Sequence, residues 1–281
     1  MTKNFLTTAR RWSAAIMISA LLAGGSAFPS AEPASIEKAR LTILYDNTTA
    51  RDGVKADWGF ACLIEGMAKT ILFDTGTDPA ILWGNAQALG LDLGRVDAIV
   101  ISHLHGDHTG GLISVLEKRP GVTVYIPAVI AVLPESTGQL TLKKISRPET
   151  TIVQVLKPVD ICPGVRLTGQ FIGPNLIPEV SLLLETKAGE MLITGCAHPG
   201  IVNIVRRTAT WRGKPVEVVI GGFHLNQTPE PDVLRIIADM KAAGVVRCGA
   251  SHCTGDPAIA LFRTAFGEAF ITLGVGRTID F

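Results

Sequence analysis

Three of the chain's six histidines fall within six residues, His103-Leu104-His105-Gly106-Asp107-His108, with a carboxylate set among them. Imidazole is the commonest side-chain metal ligand, and histidine mixed with carboxylate is a donor set that holds zinc and similar ions. His103 and His105 are two apart, so in extended geometry they point the same way and can grip one ion. Gly106 permits a reversal that brings Asp107 and His108 back towards the same cavity. The run follows the apolar stretch Val96-Asp97-Ala98-Ile99-Val100-Ile101, which reads as a buried strand. The ligands therefore sit at a strand's carboxyl end, where open α/β folds place their chemistry. The segment reads as a metal site.

The other histidines repeat this setting, and none is left for ordinary surface or core duty. His198 closes a strand and tight turn, Met191-Leu192-Ile193-Thr194-Gly195-Cys196-Ala197-His198, with a helix beginning near Pro199. Val218-Val219-Ile220-Gly221-Gly222-Phe223-His224 is a buried strand ending at a histidine, and Val245 to His252 repeats it one helix later, where Asp256-Pro257 caps the next helix. His224 has three readings: metal ligand, proton donor to a leaving group, or substrate contact. Cys196 has two, since a buried cysteine is more often inert packing than a coordinating thiolate; packing is the expectation. Cys253 stands beside the site with no role assigned. Asp74 ends the apolar run Ile71-Leu72-Phe73 either as an ordinary strand-end turn or as a carboxylate supporting the histidines.

The elements that must position these residues alternate as in an α/β protein. Leu41 to Tyr45 is a strand, and Asp46 to Asp57 a polar loop at the expected site rim. Trp58 to Ile64 and Thr70 to Phe73 form a hairpin through Glu65-Gly66, and Asp78-Pro79 caps a helix running to Leu89. After the metal motif come a helix from Leu112 to Lys118, a strand from Thr123 to Ile126, and a loop or lid over residues 134 to 150. Short strands over 151 to 168 and 181 to 194 precede the last helices. The order predicts two sheets sandwiched between helices. The 281 residues, 47% hydrophobic with 29 glycines, suffice for one large catalytic core.

A net charge of +1, from 26 basic and 25 acidic residues, argues against a nucleic-acid surface. Five cysteines without CxxC spacing give no disulfide framework. Lys3, Arg10 and Arg11 precede an apolar stretch from Trp12 to about Phe28, then small residues and Pro29-Ser30-Ala31. That is the order of a secretory signal over residues 1–31, cleaved after Ala27 or Ala31, with Arg10-Arg11 loosely like a twin-arginine signal. An uncleaved anchor is the alternative. The expected protein is periplasmic or secreted, without stable membrane association once the leader is removed.

The His-x-His-x-Asp-His pattern resembles the signature of the metallo-β-lactamase superfamily. The combination Gly195-Cys196-Ala197-His198-Pro199-Gly200, Gly221-Gly222-Phe223-His224-Leu225 and Ser251-His252-Cys253-Thr254-Gly255 is similar to its dihydropterin-ribofuranosylaminobenzene-phosphate synthase-like branch. The similarity spans roughly residues 41 to 275. It implies an αββα sandwich over residues 36–281, with His103 and His105 on a first metal and Asp107 and His108 on a second. By the same resemblance Asp74 supports the histidines from behind and His252 is the last ligand. Cys196 occupies the slot of an aspartate that bridges two metals in many members. No histidine occurs between His108 and His198, so His198 becomes the substitute for a missing upstream ligand.

The function expected from this set is a hydrolase of a small-molecule ester, phosphoester or lactone. Two zinc ions are expected, although iron or manganese would suit the donors, and a metal-bound hydroxide, oriented by Asp107, would attack. His224 would protonate the leaving group. The second reading is an iron-binding redox or sulfur-handling protein on the same fold.

Overall fold

The computed structural model describes residues 39–128 and 145–281. The expected leader over 1–31 and most of the expected lid, residues 134 to 144, lie outside them.

Continuous apolar runs in the sequence become strands buried on both faces, the pattern expected of a sheet covered on either side. One sheet contains β1 (Arg40–Tyr45), β2 (Ala61–Glu65), β3 (Ile71–Phe73), β4 (Ala98–Val100), β5 (Thr123–Pro127), β6 (Thr151–Val155) and β15 (Thr278–Asp280). Its order is β15-β1-β2-β3-β4-β5-β6. The second contains β7 (Val159–Cys162), β8 (Val165–Leu167), β11 (Leu182–Thr186), β12 (Gly189–Thr194), β13 (Val218–Gly222) and β14 (Arg247–Ser251), in the order β14-β13-β12-β11-β8-β7. β9 (Phe171–Ile172) and β10 (Pro178–Glu179) form a short antiparallel ribbon.

The period-two alternation of strands sorts their side chains into separate cores. Ile71 and Phe73 of β3, Ala98 and Val100 of β4, and Val218 and Ile220 of β13 share one apolar cluster between the sheets. Leu72 and Ile99 face the opposite way, onto Leu82 and Ala86 of α1 (Pro79–Ala88) and Leu112 and Val115 of α3 (Leu112–Lys118). Val219 faces out of the second sheet onto α4 (Ile201–Arg212), α5 (Glu230–Ala242) and α6 (Asp256–Phe266). Each such buried aliphatic or aromatic side chain contributes about 1.5–3 kcal/mol. The result is the helix-sheet-sheet-helix sandwich expected from the sequence.

Local details correct three expectations. Gly106 keeps an ordinary backbone, and a Cβ there would meet nothing within 4 Å. The turn after His105 is instead a single helical turn, α2 (Gly106–Thr109), and the glycine it needs is Gly110, where a Cβ would collide with the Thr77 carbonyl. Asp256 is the first residue of α6 and makes no side-chain cap hydrogen bond; Gly255 holds the cap position. The first hairpin strand begins at Ala61, because Trp58 to Phe60 turn aside to cover the metal motif. Asp78 does cap α1, accepting from the Ala80 N–H at 2.7 Å.

Candidate metal centre

Five strand ends converge on one point. β3, β4 and β5 run parallel, as do β12, β13 and β14. Asp74 follows β3, His103 follows β4, Cys196 to His198 follow β12, His224 follows β13 and His252 follows β14. The structure thus gathers every sequence-predicted site residue at one edge of the sandwich. Among the described residues, five non-glycines adopt positive φ, and four of them are Asp74, Ala197, His224 and His252. Such backbone costs energy and persists only where the surroundings enforce it.

Four of the histidines, His103, His108, His198 and His252, share one pattern, a ring nitrogen held from behind with the other turned towards the common centre. His108 Nδ1 donates to Asp74 Oδ2 at 2.7 Å. Ser102 Oγ donates to that same oxygen at 2.7 Å and so accepts from His103 Nδ1 at 2.9 Å. His252 Nδ1 donates to Asn47 Oδ1 at 3.0 Å. His198 Nδ1 lies 3.1 Å from the Asn175 side-chain amide, either end of which can face a ring nitrogen. The Nε2 atoms of His198 and His252 are buried without a hydrogen-bond partner. His103 Nε2 faces His105 Nδ1 at 3.1 Å, ring nitrogen against ring nitrogen.

Asp107 sits at the open side of this ring of imidazoles. The Trp58 indole N–H donates to its Oδ2 at 2.9 Å. His252 Nε2 lies 3.3 Å from that oxygen, without the alignment of a hydrogen bond, and His108 Nε2 lies 3.7 Å away. Donor atoms of His103, His105 and His198 lie within 4.8 Å of one another, as do those of Asp107, His108 and His252.

The electrostatics suit a cation. Burial drives His103 well below the usual imidazole range, reinforced by the neighbouring rings. Burial likewise lowers His198 to about 3, with His224 and His105 adding repulsion. Burial also opposes charge on His108, but Asp74 outweighs it and holds the ring at about 9. Burial opposes charge on Asp107, yet His252 and His108 keep its carboxyl well below the ordinary range. A buried crowd of imidazoles, with His103 and His198 held neutral and the Nε2 atoms of His198 and His252 orphaned, is a cavity that a metal ion satisfies. The residues fit the ion the sequence implies.

Four contributors carried little or no sequence signal. Glu179, at 1% exposure, accepts the backbone N–H groups of Cys196 at 3.0 Å, Ala197 at 2.8 Å and His198 at 2.8 Å. Its only trace is a lone carboxylate in the stretch Ile177-Pro178-Glu179-Val180. Asn175 gave none, and Asn47 was visible as part of the rim loop without a role of its own. Gly59 belongs with them: its φ is 149°, and a Cβ would stand 2.6 Å from the Asp107 carbonyl oxygen. Beside His198 and His224 opens a cavity of about 440 Å³, walled by Ile201, Val202 and Ile236 with Asn203 and Arg206 at its edge.

Comparison with known proteins gives the family and the fold. The sequence model of the metallo-β-lactamase superfamily matches residues 59–236. A Methanocaldococcus jannaschii protein, 7,8-dihydropterin-6-methyl-4-(β-D-ribofuranosyl)-aminobenzene-5'-phosphate synthase, is 30% identical over 263 residues, covering 79% of this chain and 90% of that protein. The crystal structure of Tm1679, a metal-dependent hydrolase of the β-lactamase superfamily, is similar with a TM-score of 0.70 at 24% identity, covering 86% of this chain and 98% of that one. Zinc-bound PqqB from Methylobacterium extorquens is similar with a TM-score of 0.55 at 14% identity, covering 86% and 100%.

Proposed function

The chain belongs to the metallo-β-lactamase superfamily, and from that premise we propose that it is a metal-dependent hydrolase of a small ester, phosphoester or lactone. The observation that carries this reading is the geometry shared by His103, His108, His198 and His252: one nitrogen held from behind, the other turned to a common centre beside Asp107. His103, His105 and His198 would hold one ion, and Asp107, His108 and His252 a second. Zinc is the first candidate, with iron and manganese next. When bound, such ions supply Lewis acidity, acidifying a water and polarising a substrate oxygen.

The chain's own residues do the rest. Asp74, Ser102, Asn47 and Asn175 fix the ring orientations and so pre-set the site. Asp107, steadied by the Trp58 N–H, orients the attacking water. His224, exposed at the rim and lining the cavity, protonates the leaving group. Hydrogen bonding with Cys253 raises its imidazole above the ordinary range against the opposing effect of burial, which keeps a proton available. The apolar cavity wall takes the substrate's body, and Asn203 or Arg206 an anionic or polar end.

The M. jannaschii relative is named as a synthase, so hydrolysis does not transfer from it. The product in that name carries a 5'-phosphate, which makes phosphoesters the first substrates to try. The test is a screen of the metal-loaded protein against chromogenic phosphodiesters, esters, thioesters, lactones and β-lactams. Turnover that disappears with a chelator and returns with zinc supports the proposal. A protein with visible iron absorption and no hydrolysis replaces it with the redox or sulfur-handling reading, which Cys196 and Cys253 favour by lying against the histidines.

The basic, apolar and small-residue order of 1–31 supports a periplasmic or secreted location. A reporter fused to residues 1–35 should be exported; retention in the cytoplasm overturns the assignment.

A further inference from the structure

Two thiols occupy the floor of the centre. Cys62 and Cys248 are packed into apolar clusters, as inert cysteines usually are. Cys196 and Cys253, each 2% exposed, belong to neither cluster and face nitrogen instead. Cys196 Sγ lies 3.2 Å from His108 Nε2. It shares three groups of donor atoms lying within 4.8 Å of one another: with His103 and His108, with His198 and His224, and with His252 and Cys253. Cys253 Sγ lies 3.7 Å from the Cys196 carbonyl oxygen.

The backbone holds this arrangement from both sides. The Phe223 N–H donates to Thr254 Oγ1 at 3.0 Å, pinning the turn His252–Thr254 against the end of β13. A Cβ on Gly222 would stand 2.7 Å from Cys253 Sγ, so any other residue there would displace the sulfur. The Glu179 carboxylate fixes the Cys196 backbone N–H. His252, held through Nδ1 by Asn47, brings its partnerless buried Nε2 to the same group.

We propose that Cys196 and Cys253 are thiolate ligands which, with His252, make one of the two metal positions a sulfur-bearing site for a thiophilic ion such as zinc, cadmium or ferrous iron. The inference rests on reading the centre as a metal site, and it takes the ligand alternative for Cys196 over packing. Binding converts two thiols to thiolates, and their two protons leave to solvent. His252 also belongs to the group with Asp107 and His108, so one imidazole serves either a sulfur set or an oxygen set. Soft ions settle among the sulfurs and hard ions beside the carboxylate. The identity of the ion therefore selects the position, and with it whether Asp107 is free to act on water.

X-ray absorption at the zinc edge of the full-length, zinc-loaded chain tests this. A sulfur shell at about 2.3 Å should accompany the nitrogen and oxygen shell at about 2.0–2.1 Å. Cys196→Ser and Cys253→Ser should each reduce the sulfur shell to about half, the double variant should abolish it, and Cys162→Ser should leave it unchanged. The wild-type shell is read without any substitution, so a variant that fails to fold does not remove the test. Zinc bound through nitrogen and oxygen alone overturns this inference and spares the metal centre. A sulfur shell unchanged in a folded Cys253→Ser protein overturns the pairing. A chain that binds no metal overturns this inference and the metal-centre reading together.

Discussion

Asp74 Oδ2 stands 2.7 Å from His108 Nδ1, with both side chains fully buried. Through Ser102 Oγ the same oxygen also sets His103, so one carboxylate at the end of β3 aims two imidazoles carried by the loop after β4. Asp74 has a φ of 55°, a conformation that asparagine and aspartate tolerate better than most residues. Asp74→Asn should therefore keep the fold while replacing an acceptor with an amide that can donate into the same nitrogen. We expect a loss of about 10–100-fold in metal affinity, read by competition with a chromophoric chelator, at unchanged far-ultraviolet circular dichroism. Unaltered affinity would show that His108 and His103 need no such support.

Removing the metal should soften the whole domain. Ligand at about a thousand times its Kd stabilises the native state by about 4 kcal/mol, which in a domain of this size shifts Tm by about 8–16 °C. Elemental analysis should find two ions per chain before dialysis against a chelator, and calorimetry should find the drop afterwards. An unchanged Tm would mean that the imidazole cluster is complete without an ion.

The sandwich was legible because strands buried on both faces leave long apolar runs, and β3, β4, β12 and β13 each carry one ending at a chemical residue. His103, His198, His224 and His252 were legible for the same reason: each follows the end of a strand. What stayed hidden is what arrives from far away in sequence. Glu179, on a two-residue strand, reaches the turn before His198 across a gap no periodicity records. Asn175 and Asn47 hold ring nitrogens through contacts set only by the tertiary fold. Gly106 misled because a glycine after a strand suggests a reversal, whereas the chain enters a helical turn there and the close approach falls at Gly110.

Glu179 gives a pH signature. Burial raises its carboxyl from 4.5 to about 7, against the pull of the N–H groups it accepts. A folded-state value above the unfolded one means the group's contribution is fully present below about 4.5 and is lost as pH rises through about 7. Glu179→Gln cannot titrate, so the stability advantage of metal-free wild type over this variant should shrink across that window. Urea unfolding at a series of pH values measures it. An advantage that grows with pH would show that the three N–H bonds keep the carboxylate ionised.

Trp58 tests the open side of the centre. Its indole N–H holds Asp107, while its ring lies 4.9 Å from that of His252. Trp58→Phe keeps the ring and removes the donor. Affinity for the second ion should fall by about 10-fold with the first ion retained, read as two resolved steps in a metal titration. Equal weakening of both steps would assign Trp58 to packing alone.

His224 decides between ligand and acid. Its ring centroid lies 4.3 Å from that of His198, close enough for a shared ion, yet its side chain is exposed at the rim of the cavity. Its φ is 54°, so His224→Asn is the substitution its backbone accepts most readily. An acid acts on the leaving group, so kcat should fall by about 10²–10⁴-fold while metal content stays at its wild-type value. The loss should be smallest for substrates expelling nitrophenolate, which departs without a proton, and largest for alkoxide leaving groups. A ligand would behave otherwise, with metal and activity falling together and every leaving group suffering alike. We expect the leaving-group dependence, because an exposed imidazole with a raised pKa is placed to give a proton.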